Sequence, residues 1–398
     1  MEVGEPGAGM FSKRIRNVQP SATVALSNKV KRLKRQGLDI LSFTLGEPDF
    51  KTPQHIIDAA KNALDDGLTH YVQSMGMPQL RTALAEHVGR KNDIKAEMDN
   101  VIVLPTKFAL YCAIQASVNQ GDQVIFPNPG WVSYGPMVTL AKGTPVPVKM
   151  RYNDGWEWHP DDIRSHITHK TRVIIVNTPS NPTGSLISRD ALKEIAEIAD
   201  EKDLLIISDE VYENLIYEDD HFSIGSIDDV ADRTVTISGF SKSYAMTGWR
   251  IGWMIATQEM IKMVNKLQEH SLTCLPGFVQ MGALAALENG DDCVREMREE
   301  FRARRDMLIP MLNEIEGVTC EVPKGAFYAF FRMDTGFRSM DLAEMLLYKA
   351  HIALTPGSAF GSAGEGHLRM SYAASRENLQ EGVSRISQFA RSLRSGSK

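Results

Sequence analysis

The chain has 398 residues, with 44 Lys and Arg against 50 Asp and Glu, a net charge of −6. This length and a 43% apolar content suit a globular protein of two or three domains with a large core, and the acidic balance argues against non-specific nucleic-acid binding. Its four scattered cysteines, Cys112, Cys274, Cys293 and Cys320, fit a reduced cytoplasmic protein better than a disulfide scaffold, and no apolar run reaches the roughly 18 residues of a membrane span.

The opening MEVGEPGAG is acidic and Gly-rich, lacks the basic and apolar regions of a signal peptide, and reads as a tail. Pro20-Ser21-Ala22-Thr23 begins a helix expected to run to about Gln36, with Ser21 as N-cap and Gly37 as stop. Its basic residues, Lys29, Lys31, Arg32, Lys34 and Arg35, form a solvated face. A short strand over 38–43 leads to the turn Gly46-Glu47-Pro48-Asp49-Phe50. Helices over about 53–64 and 77–90 flank a segment holding Tyr71 and Gly76. Val101–Leu104 is a strand, and Pro105 marks the start of a helix reaching about Val118. A helix N-terminus after a strand presents free N–H groups and a dipole to an anion, and Thr106 and Lys107 stand there. A strand over 124–126 leads to the Pro-rich segment that carries Trp131 into the next helix.

The apolar strand over 171–176 delivers Asn177-Thr178-Pro179-Ser180-Asn181-Pro182-Thr183-Gly184. Its two X-Pro bonds keep the loop extended and rigid, with one suited to the cis form, and the loop fixes Asn181. A helix over 190–201 and a strand over 204–208 follow, with Asp209 and Tyr212 at the strand's carboxyl end. Ligands bind at the carboxyl ends of strands in open α/β sheets. An acid there also serves as a helix cap, but the neighbouring tyrosine and the loop favour a site.

Two buried strands, at 235–237 and 251–254, enclose the turn over 238–250, Ser-Gly-Phe-Ser-Lys-Ser-Tyr-Ala-Met-Thr-Gly-Trp-Arg. It holds Lys242 and, eight positions on, Arg250. A lysine in a dry pocket has a lowered pKa and becomes an amine nucleophile able to form a Schiff base. An arginine on the same turn grips a phosphate through parallel hydrogen bonds. The pair points to a cofactor with both an aldehyde and a phosphate, pyridoxal 5′-phosphate. For this stretch alone, a solvated Lys and Arg on a surface loop is the alternative. With the cofactor, Asp209 is suited to hold the ring nitrogen's proton, and Asn181 and Tyr212 to share the phenolic oxygen.

Helices over about 258–288 and 291–314 come next. Strands near 325–332 and 351–354 then alternate with helices near 340–349 and 376–391. His367-Leu368-Arg369-Met370-Ser371-Tyr372 is a short strand centred on Arg369, whose planar guanidinium suits a carboxylate or, as a lone residue, a surface salt bridge. The alternation through about 52–290 calls for a mostly parallel sheet with helices on both faces, and the C-terminal part for an α+β unit. Dinucleotide, NTP-binding and nucleophile-elbow motifs are absent, as is any metal-ligand spacing.

Together these segments resemble the class I aminotransferases over about 18–390, most nearly the subclass I gamma branch that holds many bacterial and archaeal aspartate aminotransferases. The resemblance implies a fold-type I pyridoxal-phosphate transferase with a seven-stranded sheet in a large domain, 52–290. Residues 1–51 and 291–398 then contribute a tail and a smaller domain, and two copies form a homodimer with active sites at the interface. It implies that Lys242 carries the cofactor and acts as base, with Asp209 and Tyr212 as its catalytic partners. Arg250, Ser241, Thr106, Asn181, Trp131 and Tyr71 are then cofactor ligands, with Trp131 stacked on the ring and Tyr71 reaching the partner's phosphate. Standing alone, Trp131 and Tyr71 read as packing residues. Arg369 and Gly46 are implied at the substrate carboxylate, and Asn181 and Trp131 are implied among the substrate-binding residues. In acidic-substrate members a lysine and a threonine at the places of Lys107 and Thr23 approach the side-chain carboxylate, whereas an isolated Lys107 reads as a solvated helix residue. The expected reaction passes an amino group from aspartate to 2-oxoglutarate in two ping-pong halves. The alternatives are an aromatic, alanine or broad-range aminotransferase, then a lyase or synthase on the same scaffold, then a non-catalytic effector module. Two departures stand out. Many members carry a phosphate-binding serine where this chain has Gly239, and two glycines where it has Pro105 and Thr106. Ser238, Ser241 and Thr106 are the hydroxyls able to compensate.

Overall fold

The computed structural model describes residues 10–395; the segment read as a tail, 1–9, lies outside them, as do residues 396–398. The strands are β1 (Leu41–Ser42), β2 (Val101–Leu104), β3 (Gln123–Asn128), β4 (Thr144–Lys149), β5 (Thr171–Asn177), β6 (Leu205–Asp209), β7 (Thr234–Gly239), β8 (Gly252–Ile255), β9 (Val318–Cys320), β10 (Tyr328–Met333), β11 (Ile352–Ala353), β12 (Thr355–Pro356) and β13 (His367–Ser371).

The apolar runs are buried on both faces, as strands sandwiched between helix layers must be; every residue of β2, β7 and β8 is buried. They form a seven-stranded sheet in the order β2-β8-β7-β6-β5-β3-β4. The pairs from β4 to β7 are parallel, and β8 runs antiparallel to both β7 and β2. The register brings strand ends level. Asn177 pairs with Asp209 and Asp209 with Ile237, while Gly239 and Leu104 both pair with Gly252. The segments that follow β2, β5, β6 and β7 therefore emerge at one edge, together with the residue pair that precedes β8.

The covering helices are amphipathic. Arg189–Glu201 buries Leu192, Ile195, Ala196 and Ala199 at helical spacing, and its N-cap Ser188 accepts a 3.3 Å bond from the Ala191 N–H. Each fully buried Leu or Ile contributes about 1.5–3 kcal/mol. A second core, around Phe301, Phe327, Leu368 and Leu379, belongs to the four-stranded antiparallel sheet β12-β13-β10-β9. The short parallel pair β1 and β11 joins the N-terminal segment to this part. No described helix is long and apolar enough to cross a membrane.

Several elements differ from expectation. β4 and the helix Pro160–His166 fill a stretch for which the sequence pattern gave no element. Pro145 and Pro147 mask β4, yet prolines are tolerated because it is an edge strand. The helix expected over 258–288 is two, Gln258–Glu269 and Gly277–Asn289, parted before Pro276. The turn around Lys242 is a one-turn helix, Phe240–Ser243, and both X-Pro bonds of the Asn177–Gly184 loop are cis.

Candidate active site

A cavity of about 470 Å³ opens at the level edge of the large sheet, between it and the smaller sheet. Lys242 enters it from the helical turn after β7. Its Nζ donates to the Gly46 carbonyl, and burial, reinforced by Arg250, Arg369 and Lys107, lowers its pKa to about 8 against the pull of Glu47. Asp209 ends β6 and is only 4% exposed. Burial raises its pKa to about 6, although Tyr134 Oη donates to its Oδ2 at 2.7 Å. Among the described residues its buried Oδ1 has no hydrogen-bond partner.

Arg369 comes from β13 and is 3% exposed. One terminal nitrogen donates to Asn181 Oδ1 at 3.0 Å and the other to the Thr44 carbonyl at 2.8 Å, while Nε has no partner among the described residues. The Tyr212 and Tyr328 hydroxyls meet at 2.7 Å. Lys107 lies with its Nζ 4.8 Å from the Trp131 ring centroid, and burial lowers its pKa. Arg250 adopts a left-handed conformation at φ 57° and donates to the Thr247 carbonyl at 2.7 Å.

Of the residues singled out from the sequence, Thr23, Gly46, Thr106, Lys107, Trp131, Asn181, Asp209, Tyr212, Ser241, Lys242, Arg250 and Arg369 line the cavity, and Tyr71 and Ser238 do not. Tyr71 stands away from it, 86% exposed. Of the two serines beside Gly239, Ser241 lines the cavity, whereas Ser238 faces away and donates to Glu213 Oε1 at 2.5 Å. Thr106 Oγ1 would lie 2.4 Å from a side-chain carbon added at Gly239 and 2.2 Å from one added at Gly252. The two departures from the family pattern are therefore spatially linked, because the hydroxyl at 106 occupies the room that a side chain at 239 would need.

The family scan matches the aminotransferase class I and II model over residues 39–386. The chain belongs to the class I and II aminotransferases. The aspartate aminotransferase of Pyrococcus abyssi is 42% identical over 96% of this chain and 98% of its own. Aromatic-amino-acid aminotransferase 2 of Thermococcus litoralis is 40% identical, over 94% and 97%. The structure of Thermus thermophilus aspartate aminotransferase with maleate superposes with a TM-score of 0.91 at 39% identity, covering 95% of this chain and 99% of that one. This aminotransferase is accordingly a pyridoxal-phosphate enzyme of fold type I.

The residues of the aminotransferase's cavity fit that cofactor. The Oδ1 of Asp209, unpartnered among the described residues, suits a protonated ring nitrogen, and the lysine's lowered pKa, about 8, makes its neutral amine accessible well below the ordinary lysine value. The helix Thr106–Ser117 turns its N-terminus to the cavity beside Arg250 and Ser241, a setting for phosphate.

Tyr134, Asn177, Tyr328 and Phe360 were not foreseen as site residues. Tyr134 and Asn177 brace Asp209, the latter donating to its carbonyl at 2.9 Å. Behind them, folding gathers Glu210, Glu213 and His221 within 4.8 Å, although no sequence spacing announced such a cluster. Ser208, Ser223 and His221 serve Glu210, and Ser238 and Asn92 serve Glu213.

Proposed function

We propose that this aminotransferase takes aspartate as amino donor and 2-oxoglutarate as acceptor, in two ping-pong halves, as a homodimer. The observation that carries the substrate is Lys107. It is a cation on the cavity wall, exposed to solvent, its pKa is lowered by desolvation and by Arg250, and no carboxylate of the described residues appears among the charges acting on it. A second carboxylate on the substrate would relieve that cost, and Thr23 at the same cavity adds a hydroxyl. The relatives named for aspartate, and the maleate complex of one of them, support this reading.

When bound, pyridoxal phosphate supplies an aldehyde that receives the amino group and a ring that accepts the electron pair from Cα. Arg369 receives the α-carboxylate, its plane set by Asn181, Thr44 and the Tyr328 ring. Lys242 Nζ is the base that would take the proton from Cα and deliver it to C4′, the carbon of the cofactor's aldehyde. Asp209, ionised against its burial, would keep a proton on the ring nitrogen, and Asn181 and Tyr212 would donate to the phenolic oxygen. Arg250, Ser241, Thr106 and the helix N-terminus hold the phosphate. Tyr71, exposed in one subunit, completes the partner's site.

The aromatic walls Trp131, Tyr328 and Phe360, and the relative named for aromatic amino acids, favour a second reading as an aromatic aminotransferase. A panel of amino acids with 2-oxoglutarate as acceptor decides between them. The aspartate reading expects the highest kcat/KM for aspartate, and a higher value for phenylalanine or tyrosine overturns it.

A further inference from the structure

We propose that Tyr328 is a positioning residue that holds the Tyr212 hydroxyl and the Arg369 guanidinium together, linking the cofactor's phenolic oxygen to the carboxylate subsite. The proposal rests on the reading of the pocket given above. Tyr328 begins β10, in the smaller sheet, whereas Tyr212 follows β6 of the large one. In the antiparallel ladder Tyr328 pairs with Ser371 and Phe330 with Arg369, so Tyr328 and Arg369 are diagonal neighbours on one face. The Arg369 guanidinium carbon accordingly sits 4.4 Å from the Tyr328 ring centroid.

The hydroxyl points the other way, to the Tyr212 oxygen at 2.7 Å, and Tyr328 is only 1% exposed. The space in front of it is kept by Gly46, where an added side-chain carbon would stand 2.4 Å from the Tyr328 oxygen. Burial raises the pKa of both phenols, so each keeps its proton, while the nearby Arg369 charge acts to lower both.

Counting protons assigns the direction. Tyr212 has one hydroxyl proton. If it is given to the cofactor's phenolic oxygen, the proton between the two tyrosines comes from Tyr328. A phenol that accepts a hydrogen bond on its oxygen becomes a stronger donor through its own proton, because hydrogen bonds in a chain polarise one another. Tyr328 therefore strengthens the bond that Tyr212 gives to the cofactor, and the guanidinium over its ring makes that bond responsive to the substrate carboxylate.

The test uses the holoenzyme. Tyr328→Phe keeps the ring on Arg369 and removes only the hydroxyl. It is expected to lower kcat by about threefold to tenfold, the size of one lost hydrogen bond between neutral groups, with KM for the amino acid nearly unchanged. The pH midpoint of the bound cofactor's visible absorbance is expected to rise by about half a unit, since the phenolic oxygen is then less stabilised by Tyr212. In a Tyr212→Phe background the same substitution should add nothing. Tyr328→Leu, which also removes the ring, should raise KM for every donor as Arg369 loses its seat. A Phe variant with an unmoved midpoint and kcat within twofold overturns the proposal and leaves Tyr328 as packing. So does an effect that persists in full without the Tyr212 hydroxyl. If the unmutated protein reconstituted with pyridoxal phosphate shows no visible band, the pocket reading itself is at fault.

Discussion

Tyr134 donates a 2.7 Å hydrogen bond to one carboxylate oxygen of Asp209, and the other oxygen is buried without a partner among the described residues. Asp209 lines the cavity together with Lys242 and Arg369. A buried carboxylate with a pKa near 6 is held there against the cost of burial, and a proton carried by the cofactor ring would offset that cost.

Asp209→Asn keeps this shape and removes the charge. It is expected to lower kcat on the order of a thousandfold while the cofactor stays bound, because breaking a buried charge pair costs about 3–5 kcal/mol. Steady-state kinetics and cofactor absorbance measure the two quantities separately. A variant with near-full activity would reduce Asp209 to a helix cap.

The lowered pKa of Lys242, about 8, predicts how the empty protein takes up pyridoxal phosphate. Only the neutral amine attacks the aldehyde. The capture rate, followed by absorbance, should climb between about pH 7 and 9 and then level off, instead of climbing towards the ordinary lysine value near 10.4. The sign for stability is the same. Between the folded pKa and the unfolded value the unfolded chain binds more protons, so the empty protein gains stability as pH rises through that window. Borohydride reduction and mass spectrometry should find the adduct on Lys242. An adduct on another lysine would remove the basis for both expectations.

How much of this was legible depends on where each residue lies. Lys242, Asp209 and Asn181 follow strands whose apolar runs are plain in the sequence, and loops at the ends of parallel strands are where sites form. Tyr328 is embedded in Phe327-Tyr328-Ala329-Phe330-Phe331, and nothing local separates it from its core neighbours. Its role depends on the β10–β13 register and on the approach of the two sheets, which are long-range properties. Gly239 and Thr106 are visible as separate departures from the family pattern, but their shared space appears only once β7, β8 and the helix Thr106–Ser117 are assembled. Tyr134 reaches Asp209 across 75 positions of chain.

The exposure of Tyr71, 86%, leads to a prediction about the dimer. If its hydroxyl completes the partner's site, a Tyr71→Phe chain and a Lys242→Ala chain each lack a different part. In a mixed dimer one site combines both defects and the other has neither. Mixed dimers purified with two different tags should recover activity towards half that of the unmutated dimer. No recovery in verified mixed dimers would place Tyr71 outside the partner's site.

The last prediction concerns the distal end of the substrate. Lys107 Nζ lies above Trp131, no carboxylate of the described residues acts on it, and Arg250 adds to the desolvation that lowers its pKa. A flexible ammonium supplies charge without a fixed geometry, so it tolerates a distal carboxylate at more than one distance better than a guanidinium fork would. Lys107→Ala should lower kcat/KM for aspartate by about tenfold to a hundredfold, or about 1.4–3 kcal/mol, the range for a hydrogen bond to a charged group. Alanine and phenylalanine, which lack a second carboxylate, should change by less than about twofold. Cofactor affinity, measured in the same variant, separates the alternatives. An equal loss for all donors together with weaker cofactor binding would assign Lys107 to the phosphate rather than to the substrate. The aspartate reading would then lose its main support, and the aromatic walls of Trp131, Tyr328 and Phe360 would decide the substrate.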